Sequence, residues 1–401
     1  MSDNNIFQRN PKKTILIVLI IPIVLIDTIC GLFFIPKNNN YTSFRTGNSY
    51  FHHNLFPNFS GITKFVVGNK SYGREYMMNT NSLGFVDHSV RKVELNTKKT
   101  RILFMGDSFT EGLCINFDNT FTGILCDKFD KEKYEILNAA VVSYAPRIYY
   151  LKTQYLLEYV KLKFNKLVVF IDISDIEDEV SYSDFQPRFD PNDYYFHADD
   201  PKKDTADKSQ TFKEFSKNHS FIYYSIYQYI KNQKEKKSYS QLYKSSKPSE
   251  QTESPTKEPE MKFKPYSWNS VTDYWVERDN WTSNDSVVYR KWGRIGLKLA
   301  EGNMIKLNKL CNNYNIPLTI VVYPWKKQIM DGDLNCIQVK FWEQFCANNH
   351  IQFINLFPAF INATPAEEVK DKYFVPEDNH WNKVGHQLVA DFLYKEFEKS
   401  W

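Results

Sequence analysis

The 401-residue sequence predicts an α/β fold with a doubly wound parallel sheet of about five strands. Several short segments, such as residues 102–105 and 318–322, are apolar throughout, which is typical of strands buried on both faces of a parallel sheet. Segments with helical periodicity separate them, and parallel strands require such crossover connections. These observations together favour a flavodoxin-like doubly wound sheet, with helices on both faces.

The predicted elements follow the first strand in regular alternation. Beyond residues 102–105, the apolar runs predict strands at 134–140, 167–173, 318–322 and 352–355. The segments with helical periodicity lie at 120–129, 148–160, 289–313, 339–348 and 383–399. Residues 186–287 interrupt the alternation, and their tract rich in Lys, Ser, Glu and Pro predicts a partly disordered insertion. A solvated linker is the favoured role of this insertion, with a lid or a protein contact surface as alternatives.

The N-terminal residues predict a membrane anchor. Residues 1–13 are polar and basic, whereas residues 14–36 are almost wholly apolar and about long enough to cross a bilayer. The basic flank predicts a cytoplasmic tail and places the rest of the chain outside the cytoplasm, in a periplasm or at a cell surface. A cleaved signal peptide is the alternative, but no Ala-x-Ala-like site follows. Asp27 lies toward the far end of the apolar segment, where water can reach it.

The composition excludes some classes of function and ligand. The net charge is +4, and no interleaved aromatic and basic motif indicates a nucleic-acid partner. The six cysteines match no zinc spacing and are expected to be buried small hydrophobes, with one disulfide among Cys311, Cys336 and Cys346. The acidic residues within 172–179 suggest a divalent-metal site, but the first turn of a helix accounts for most of them. We therefore predict no metal and no cofactor.

The stretch 101–112 has the sequence Arg-Ile-Leu-Phe-Met-Gly-Asp-Ser-Phe-Thr-Glu-Gly. Gly106 permits a sharp turn after the first strand, and Asp107 and Ser108 stand where a helix should begin. We therefore expect the Ser108 hydroxyl at the carboxyl edge of the sheet, near helix N–H groups that favour negative charge. This is a suitable place for a nucleophile. A simple helix cap is the alternative interpretation.

A second stretch, 376–386, has the sequence Pro-Glu-Asp-Asn-His-Trp-Asn-Lys-Val-Gly-His. A serine hydroxyl attacks a carbonyl only when a neutral imidazole takes its proton and a carboxylate orients that imidazole. His380 supplies the imidazole and Asp378 supplies the carboxylate. A lone His beside an Asp is more often part of a surface loop or helix cap. The hypothesis of a catalytic serine therefore depends on the occurrence of this stretch together with the one that contains Ser108.

Together, Gly-Asp-Ser-Phe-Thr and the late Asp-x-His-Trp-Asn resemble the SGNH (GDSL-type) hydrolase family. The similarity is greatest to its membrane-anchored branch, which resembles alginate O-acetylation proteins, and it covers roughly 101–179 and 317–397 of a predicted hydrolase-like domain at 101–401. The resemblance implies Ser108 as nucleophile, His380 as base and Asp378 as acid. Many members place the acid three residues before the base, so Glu377 is an alternative.

The resemblance also implies an oxyanion hole and a nearby turn. Its donors would be the N–H groups of Ser108 and of Ala140, which replaces the usual Gly of the second motif, and the hydroxyl of Ser174. Ser174 stands where the third motif usually carries Asn, so we expect a weak oxyanion hole. In similar anchored proteins, the turn corresponding to 82–85 packs near the catalytic edge, and a plain surface turn is the alternative for this element of the 37–100 extension.

Trp325 follows the predicted strand at 318–322 and could stack on a sugar ring, and Trp381 of the second stretch could form part of the same aromatic wall. Packing in the core or at its rim is the alternative for such aromatic residues. The sequence thus predicts an extracytoplasmic serine esterase or O-acyltransferase. The resemblance implies acyl groups of a cell-surface polysaccharide as substrate and a membrane-bound protein as possible acyl donor. The alternative is a catalytically silent relative that binds polysaccharide or acts as a scaffold in surface-polymer assembly.

Overall fold

The computed structural model describes residues 10–34, 44–67, 70–190, 219–226, 229–230, 289, 293–362, 365–376 and 378–399. Glu377 and most of the predicted insertion lie outside the described residues. The chain divides into two compact units. One consists of Met1–Asn38 and Thr205–Ser267, and the other of Asn39–Asp204 and Trp268–Trp401.

The first unit contains helix α1, Pro11–Phe34. The apolar side chains of this helix are largely exposed, and Asp27 accepts a hydrogen bond from the backbone N–H of Ile222 at 2.8 Å. Among the residues that the structure describes, no helix is both long enough and apolar enough to cross a membrane. The transmembrane helix predicted for residues 14–36 is therefore not supported. The location outside the cytoplasm stays a prediction.

The N-terminal extension folds into two antiparallel hairpins, which the sequence did not predict. The first pairs β1 (Arg45–Asn48) with β2 (His52–Leu55), and the second pairs β3 (Ser60–Val67) with β4 (Lys70–Asn79). β1 and β2 are short and mostly polar, and the apolar residues of β3 and β4 follow no regular alternation, so the sequence lacks the pattern that marks a strand. Their contacts with the larger sheet domain supply the missing stabilisation.

The second unit is built on a parallel sheet of five strands, as predicted. The strands are β5 (Thr100–Met105), β6 (Tyr134–Asn138), β7 (Lys166–Ile171), β8 (Leu318–Val322) and β9 (Gln352–Asn355). Their order in the sheet is β6-β5-β7-β8-β9, which is the order of the predicted flavodoxin-like sheet. β5, β7 and β8 are buried along nearly their whole length, which explains why their sequences are apolar throughout.

The helices of this unit fall into two groups that pack among themselves. They are α2 (Ser108–Glu111), α3 (Phe121–Lys128), α4 (Pro146–Glu158), α5 (Ser174–Ser181), α6 (Arg294–Asn313), α7 (Lys326–Asp331), α8 (Ile337–Asn349), α9 (Phe357–Ile361), α10 (Ala366–Tyr373) and α11 (Lys383–Glu398). α6 packs against α4 and α5, whereas α3 packs against α11. Because crossovers are right-handed, the reversal of direction after β6 places these groups on opposite faces of the sheet.

The strand order changes direction between β5 and β7, and this switch point is where ligands bind in such sheets. Ser108 directly follows β5. The predicted turn at 82–85 is buried near this edge, since the N–H of Val86 donates to the carbonyl of Asn138 at the end of β6, at 3.2 Å. The extension therefore contacts the carboxyl edge of the sheet at β6, the strand next to β5.

The cysteines do not form the predicted disulfide. Cys311, Cys336 and Cys346 are buried free thiols. Burial raises the pKa of each, to about 11 for Cys336 and about 12 for the other two. They act as small apolar side chains of the core, as the sequence analysis also expected.

Candidate active site

Ser108 stands at the start of α2, immediately after β5. The turn requires Gly106, because a Cβ atom there would lie 2.4 Å from Thr110 Oγ1 and 3.2 Å from Phe170 Cβ. Asp107 caps the short helix by accepting a hydrogen bond from the N–H of Phe109 at 3.0 Å. This tight turn holds the Ser108 hydroxyl at the carboxyl edge of the sheet.

The structure brings Ser108, His380 and Asp378 into one hydrogen-bonded chain. His380 Nε2 lies 2.8 Å from Ser108 Oγ, and His380 Nδ1 lies 2.9 Å from Asp378 Oδ1. A carboxylate accepts only, so Nδ1 carries the proton in this bond, and Nε2 is left to accept from the serine hydroxyl. The Ser108 hydroxyl is 3.3 Å from Asp107 Oδ2, a longer contact than the one to His380. The arrangement is that of a nucleophile, a base and an orienting acid.

Electrostatics support the proton positions in this chain. Burial alone would raise the pKa of Asp378, but the charge of His380, its hydrogen bond and the N–H groups of Asn379 and His380 lower it below its usual value. Burial alone would lower the pKa of His380, yet Asp378 first, and then Asp107 and Asp172, raise it above its usual value. Asp378 is therefore a carboxylate that strengthens the imidazole as a base.

Local backbone contacts fix the segment that carries His380 and Asp378. The N–H of Val375 donates to the carbonyl of His380 at 2.9 Å, and the N–H of Asp378 donates to the carbonyl of Val375 at 3.1 Å. Lys326 at the start of α7 donates to the carbonyl of Asp378 at 2.6 Å. The ring of Phe109 packs 4.9 Å from the His380 imidazole, centroid to centroid. Backbone hydrogen bonds, the Lys326 side chain and the ring of Phe109 therefore fix the position of the His380 imidazole.

The predicted oxyanion donors are not all available. The N–H of Ala140 donates to Asn138 Oδ1 at 3.2 Å, which is a long hydrogen bond. Ser174 uses both its N–H and its hydroxyl to donate to Asp172 Oδ1, each at 2.7 Å. The Ser174 hydroxyl is thus engaged away from the nucleophile, because Asp172 turns back to accept from it. The N–H of Ser108 lies in the first turn of α2, where N–H groups have no partner within the helix.

Three buried carboxyl groups lie together beneath the nucleophile. One oxygen of each of Asp107, Asp172 and Asp175 lies within 4.8 Å of the others, so these residues could hold a cation. The hydroxyl of Tyr323 donates to Asp107 Oδ1 at 2.7 Å, and the hydroxyl of Tyr149 donates to Asp175 Oδ2 at 2.8 Å. Burial, followed by the charge of Asp172, raises the pKa of Asp107 and of Asp175 well above the usual value. The raised pKa values favour the neutral, protonated forms of Asp107 and Asp175, which lessens the repulsion within the cluster.

The acidic residues within 172–179 do not form one site. Among the described residues, Asp172 and Asp175 join Asp107 in the cluster, whereas Glu179 accepts from the N–H of Arg147 at 2.7 Å and from the amide of Asn303. Burial raises the pKa of Glu179 to about 7. Its role in the structure is to join helices α4 and α6, which carry its two partners.

The two tryptophans predicted as possible sugar contacts are buried. Trp381 is 0% exposed and stacks on Phe360, with ring centroids 5.6 Å apart. Trp325 is 3% exposed, and its indole N–H donates to Asp172 Oδ2. Neither ring presents a face to solvent, so the prediction of sugar stacking does not fit their positions. Core packing, the alternative named above, describes both side chains.

Comparison of the sequence with protein-family models gives no match, and comparison with curated proteins gives none either. Among solved structures, the chain is similar to an acetyl xylan esterase, with 11% identity and a TM-score of 0.37 over 74% of this chain and 98% of the other. An esterase from Pseudoalteromonas sp. has 12% identity and a TM-score of 0.35 over 75% and 98%. A GDSL-like lipase from Bacteroides thetaiotaomicron has 10% identity and a TM-score of 0.34 over 77% and 93%. These scores are too low to assign a reaction or a substrate.

The sequence did not point to the residues that surround the site from the N-terminal extension. Arg45 pairs with the buried Glu111, and Lys152 donates to the carbonyl of Ala139 at 2.7 Å and to Asn54 Oδ1 at 2.9 Å. Glu111 belongs to the stretch 101–112, which also contains Ser108. An acidic side chain so close to a buried turn needs a cationic partner, and this was the one local signal of such a contact. Nothing near Arg45 in the sequence identifies it as that partner.

Proposed function

We propose that this protein is a serine-dependent acyl esterase or O-acyltransferase in which Ser108 is the nucleophile, His380 the base and Asp378 the orienting acid. The observation that carries the proposal is the hydrogen-bonded chain through both nitrogens of His380, with distances of 2.8 Å and 2.9 Å. Such a chain activates a serine for attack on an ester carbonyl.

The proposed reaction has two halves. Ser108 Oγ attacks the acyl carbon while its proton moves to His380 Nε2, and Asp378 stabilises the resulting imidazolium. The ester C–O bond then breaks, and the leaving alcohol takes that proton, which leaves an acyl-serine. In the second half, water or a sugar hydroxyl gives a proton to Nε2 and attacks the acyl carbon, and Ser108 is released with its proton restored.

The oxyanion of each tetrahedral intermediate needs donors beside Ser108 Oγ. We assign this role to the N–H groups of Ser108 and Ala140. The N–H of Ala140 must then exchange its 3.2 Å bond to Asn138 for a bond to the oxyanion, and the length of the existing bond favours this exchange. The Ser174 hydroxyl could bind the oxyanion only if it gave up its hydrogen bond to Asp172.

The substrate in this proposal is an O-acetyl or other acyl group on a polysaccharide, with a membrane-bound protein as possible acyl donor. The support is the resemblance of the late Asp-x-His-Trp motif to the acetylation branch. Transfer requires a bound sugar hydroxyl to compete with water at about 55 M, which a site achieves by positioning the acceptor. A location outside the cytoplasm belongs to the same proposal, and a C-terminal reporter fusion that is active only in the cytoplasm would contradict it.

The test of function is to supply the purified full chain with p-nitrophenyl acetate, with and without oligosaccharides. Free acetate and acetylated sugar are then followed by mass spectrometry. We expect p-nitrophenol release that depends on Ser108, with acetyl groups appearing on an oligosaccharide. If acetate is released at equal rates with and without sugars, and no acetylated sugar appears, the protein is an esterase and the transferase activity is excluded for the sugars tried. No release by the folded protein would contradict both activities.

A catalytically silent, polysaccharide-binding relative is the second candidate. The observation in its favour is that Ala140 and Ser174 already donate elsewhere, while Ser108 and His380 are only 8% and 5% exposed. This candidate predicts glycan binding that is unchanged in Ser108→Ala, together with no ester turnover in the wild-type protein. Turnover that disappears in Ser108→Ala would exclude it.

A further inference from the structure

Glu111 is a fully buried carboxylate at the end of α2, three positions after the proposed nucleophile. Arg45 of β1 binds it with both terminal nitrogens, with Nη2 2.6 Å from Oε1 and Nη1 3.0 Å from Oε2. The N–H of Val142 also donates to Oε2, at 2.7 Å. A buried carboxylate is tolerated when a bidentate guanidinium and backbone donors satisfy it, and Glu111 has both.

The carbonyl of Val142 is held by the same hairpin of the extension. His53 Nε2 lies 2.8 Å from this carbonyl oxygen. Because a carbonyl only accepts, Nε2 carries the proton, and His53 Nδ1 is free to accept from His52 Nδ1, 2.8 Å away. Burial lowers the pKa of His53 to about 3, so the ring is neutral and this tautomer is consistent. Both polar backbone groups of Val142 therefore have side-chain partners.

Val142 lies in the loop of residues 139–144, which connects β6 to α4 and carries Ala140. The loop departs from regular geometry, since Ser143 has a φ of 60°. Two further polar groups of the loop are also hydrogen-bonded. The N–H of Val141 donates to the carbonyl of Gly106 at 3.3 Å, and Lys152 donates to the carbonyl of Ala139 at 2.7 Å. Side chains from outside thus impose the shape of this loop.

We propose that Arg45 and Glu111 are positioning residues that hold the 139–144 loop against the nucleophile helix, so that the N–H of Ala140 faces the oxyanion formed at Ser108. Glu111 is covalently part of α2 and hydrogen-bonded to the loop, while Arg45 fixes Glu111 from the N-terminal hairpin. Through Arg45, the N-terminal extension thereby helps to set the geometry of the active site. This inference rests on the proposed function and adds the residues that set its oxyanion hole.

The inference makes a specific kinetic prediction. In Glu111→Gln, the amide N–H₂ group replaces one of the two acceptor oxygens and opposes either Arg45 Nη2 or both Arg45 Nη1 and the N–H of Val142. Either way one link between Arg45, α2 and the loop is lost, so the loop is held less firmly. Oxyanion bonds strengthen only in the transition state, so kcat should fall about 10- to 100-fold while KM changes by less than about threefold. The measurement is p-nitrophenyl acetate turnover per active site, with sites counted by fluorophosphonate labelling of Ser108.

A double variant separates positioning from a merely structural role. In Arg45→Met/Glu111→Met, the buried ion pair is replaced by apolar side chains, an exchange that often keeps stability. The N–H of Val142 nevertheless loses its acceptor. We expect an unfolding midpoint close to that of wild type together with a kcat as low as that of Glu111→Gln. A double variant that recovers both stability and kcat would overturn the inference.

Glu135→Gln is the matched control, because Glu135 also pairs with a buried arginine, Arg101, but at the amino ends of β5 and β6. It should lower the unfolding midpoint without changing turnover per active site. If wild type turns over and Glu111→Gln keeps wild-type kcat, the inference fails and the proposed function stands. If folded wild type neither turns over ester nor accepts the label, the proposed function fails and the inference falls with it.

Discussion

His380 Nε2 lies 2.8 Å from Ser108 Oγ, although 272 positions separate the two residues in the sequence. Ser108 follows the central strand β5, and His380 precedes the last helix, α11. Because β5 lies at the switch point, Ser108 lies at the crevice on the carboxyl edge of the sheet. The segment between α10 and α11 brings His380 to the same place. The contact between Ser108 and His380 is therefore a consequence of the fold as a whole.

The first prediction concerns the three residues of the hydrogen-bonded chain. Ser108→Ala and His380→Ala should each lower kcat for a small acetyl ester by about 10⁴-fold or more, because such residues act as a unit. Asp378→Asn should leave a small remainder, since the ring keeps a partner but in the wrong tautomer. Steady-state kinetics on folded variants, with folding checked by circular dichroism, measure the effect. Full activity in His380→Ala would contradict the assignment of the base.

The second prediction concerns pH. Burial lowers the pKa of His380, but the Asp378 carboxylate outweighs it and raises that pKa above its ordinary value of 6.5. The imidazole cannot act as a base once it is protonated. Activity should therefore be lost as pH falls through this raised pKa, so the acid limb of kcat/KM should lie above 6.5. In Asp378→Asn the main cause of the increase is gone, while burial still lowers the pKa. The acid limb of that variant should move to lower pH, and an unchanged limb would show that another group titrates.

The third prediction concerns Ser174. Its hydroxyl donates to Asp172 in the structure, so it is not placed to bind an oxyanion. Ser174→Ala should consequently cost far less than the loss of about 10²-fold or more that follows removal of an oxyanion donor. The comparison is kcat for the variant and the wild type on the same ester. A loss of that full size would mean that Ser174 leaves Asp172 during the reaction and that the weak donor expected from the sequence is used.

The fourth prediction concerns the turn before the nucleophile. Gly106→Ala would place a Cβ atom 2.4 Å from Thr110 Oγ1, so the turn must shift, and such overpacking costs about 1–3 kcal/mol of unfolding free energy. Ser108 should move with the turn, which lowers kcat as well. Gly302→Ala is the control, because position 302 is exposed on helix α6 and nothing lies within 4 Å of its added Cβ. That substitution should stabilise the protein by about 0.5–1 kcal/mol. Chemical denaturation measures both.

The parallel sheet could be predicted because its strands are buried on both faces. The strands at 318–322 and 352–355 have the predicted bounds, and β5 contains the predicted apolar run. β6 and β7 each end two residues earlier than predicted. The chain leaves the sheet at Asn138, whose amide donates to the carbonyl of Thr110, and at Ile171, just before Asp172 turns back to Ser174. Apolar residues continue after Asn138, and the apolar Ile173 follows Asp172, so the pattern of hydrophobicity placed both strand ends too late.

The site could be predicted in part, because paired motifs identify Ser108, His380 and Asp378 without any knowledge of distance. The contacts that hold the site are different, since they join residues far apart in the sequence. Arg45 binds Glu111 from 66 positions away, and neither residue has a local signal that names its partner. The burial of Trp325 could not be predicted either, because an aromatic residue after a strand can face either solvent or the core.

The most direct test of the central claim is to treat the folded wild-type chain with a fluorophosphonate and locate the adduct by mass spectrometry of its peptides. The account predicts one adduct per chain, on Ser108, and labelling that becomes far slower in His380→Ala because the base is missing. It also predicts that heat-denatured protein is not labelled. A folded wild-type protein that gains no adduct on Ser108, or that is labelled equally fast without His380, would contradict it.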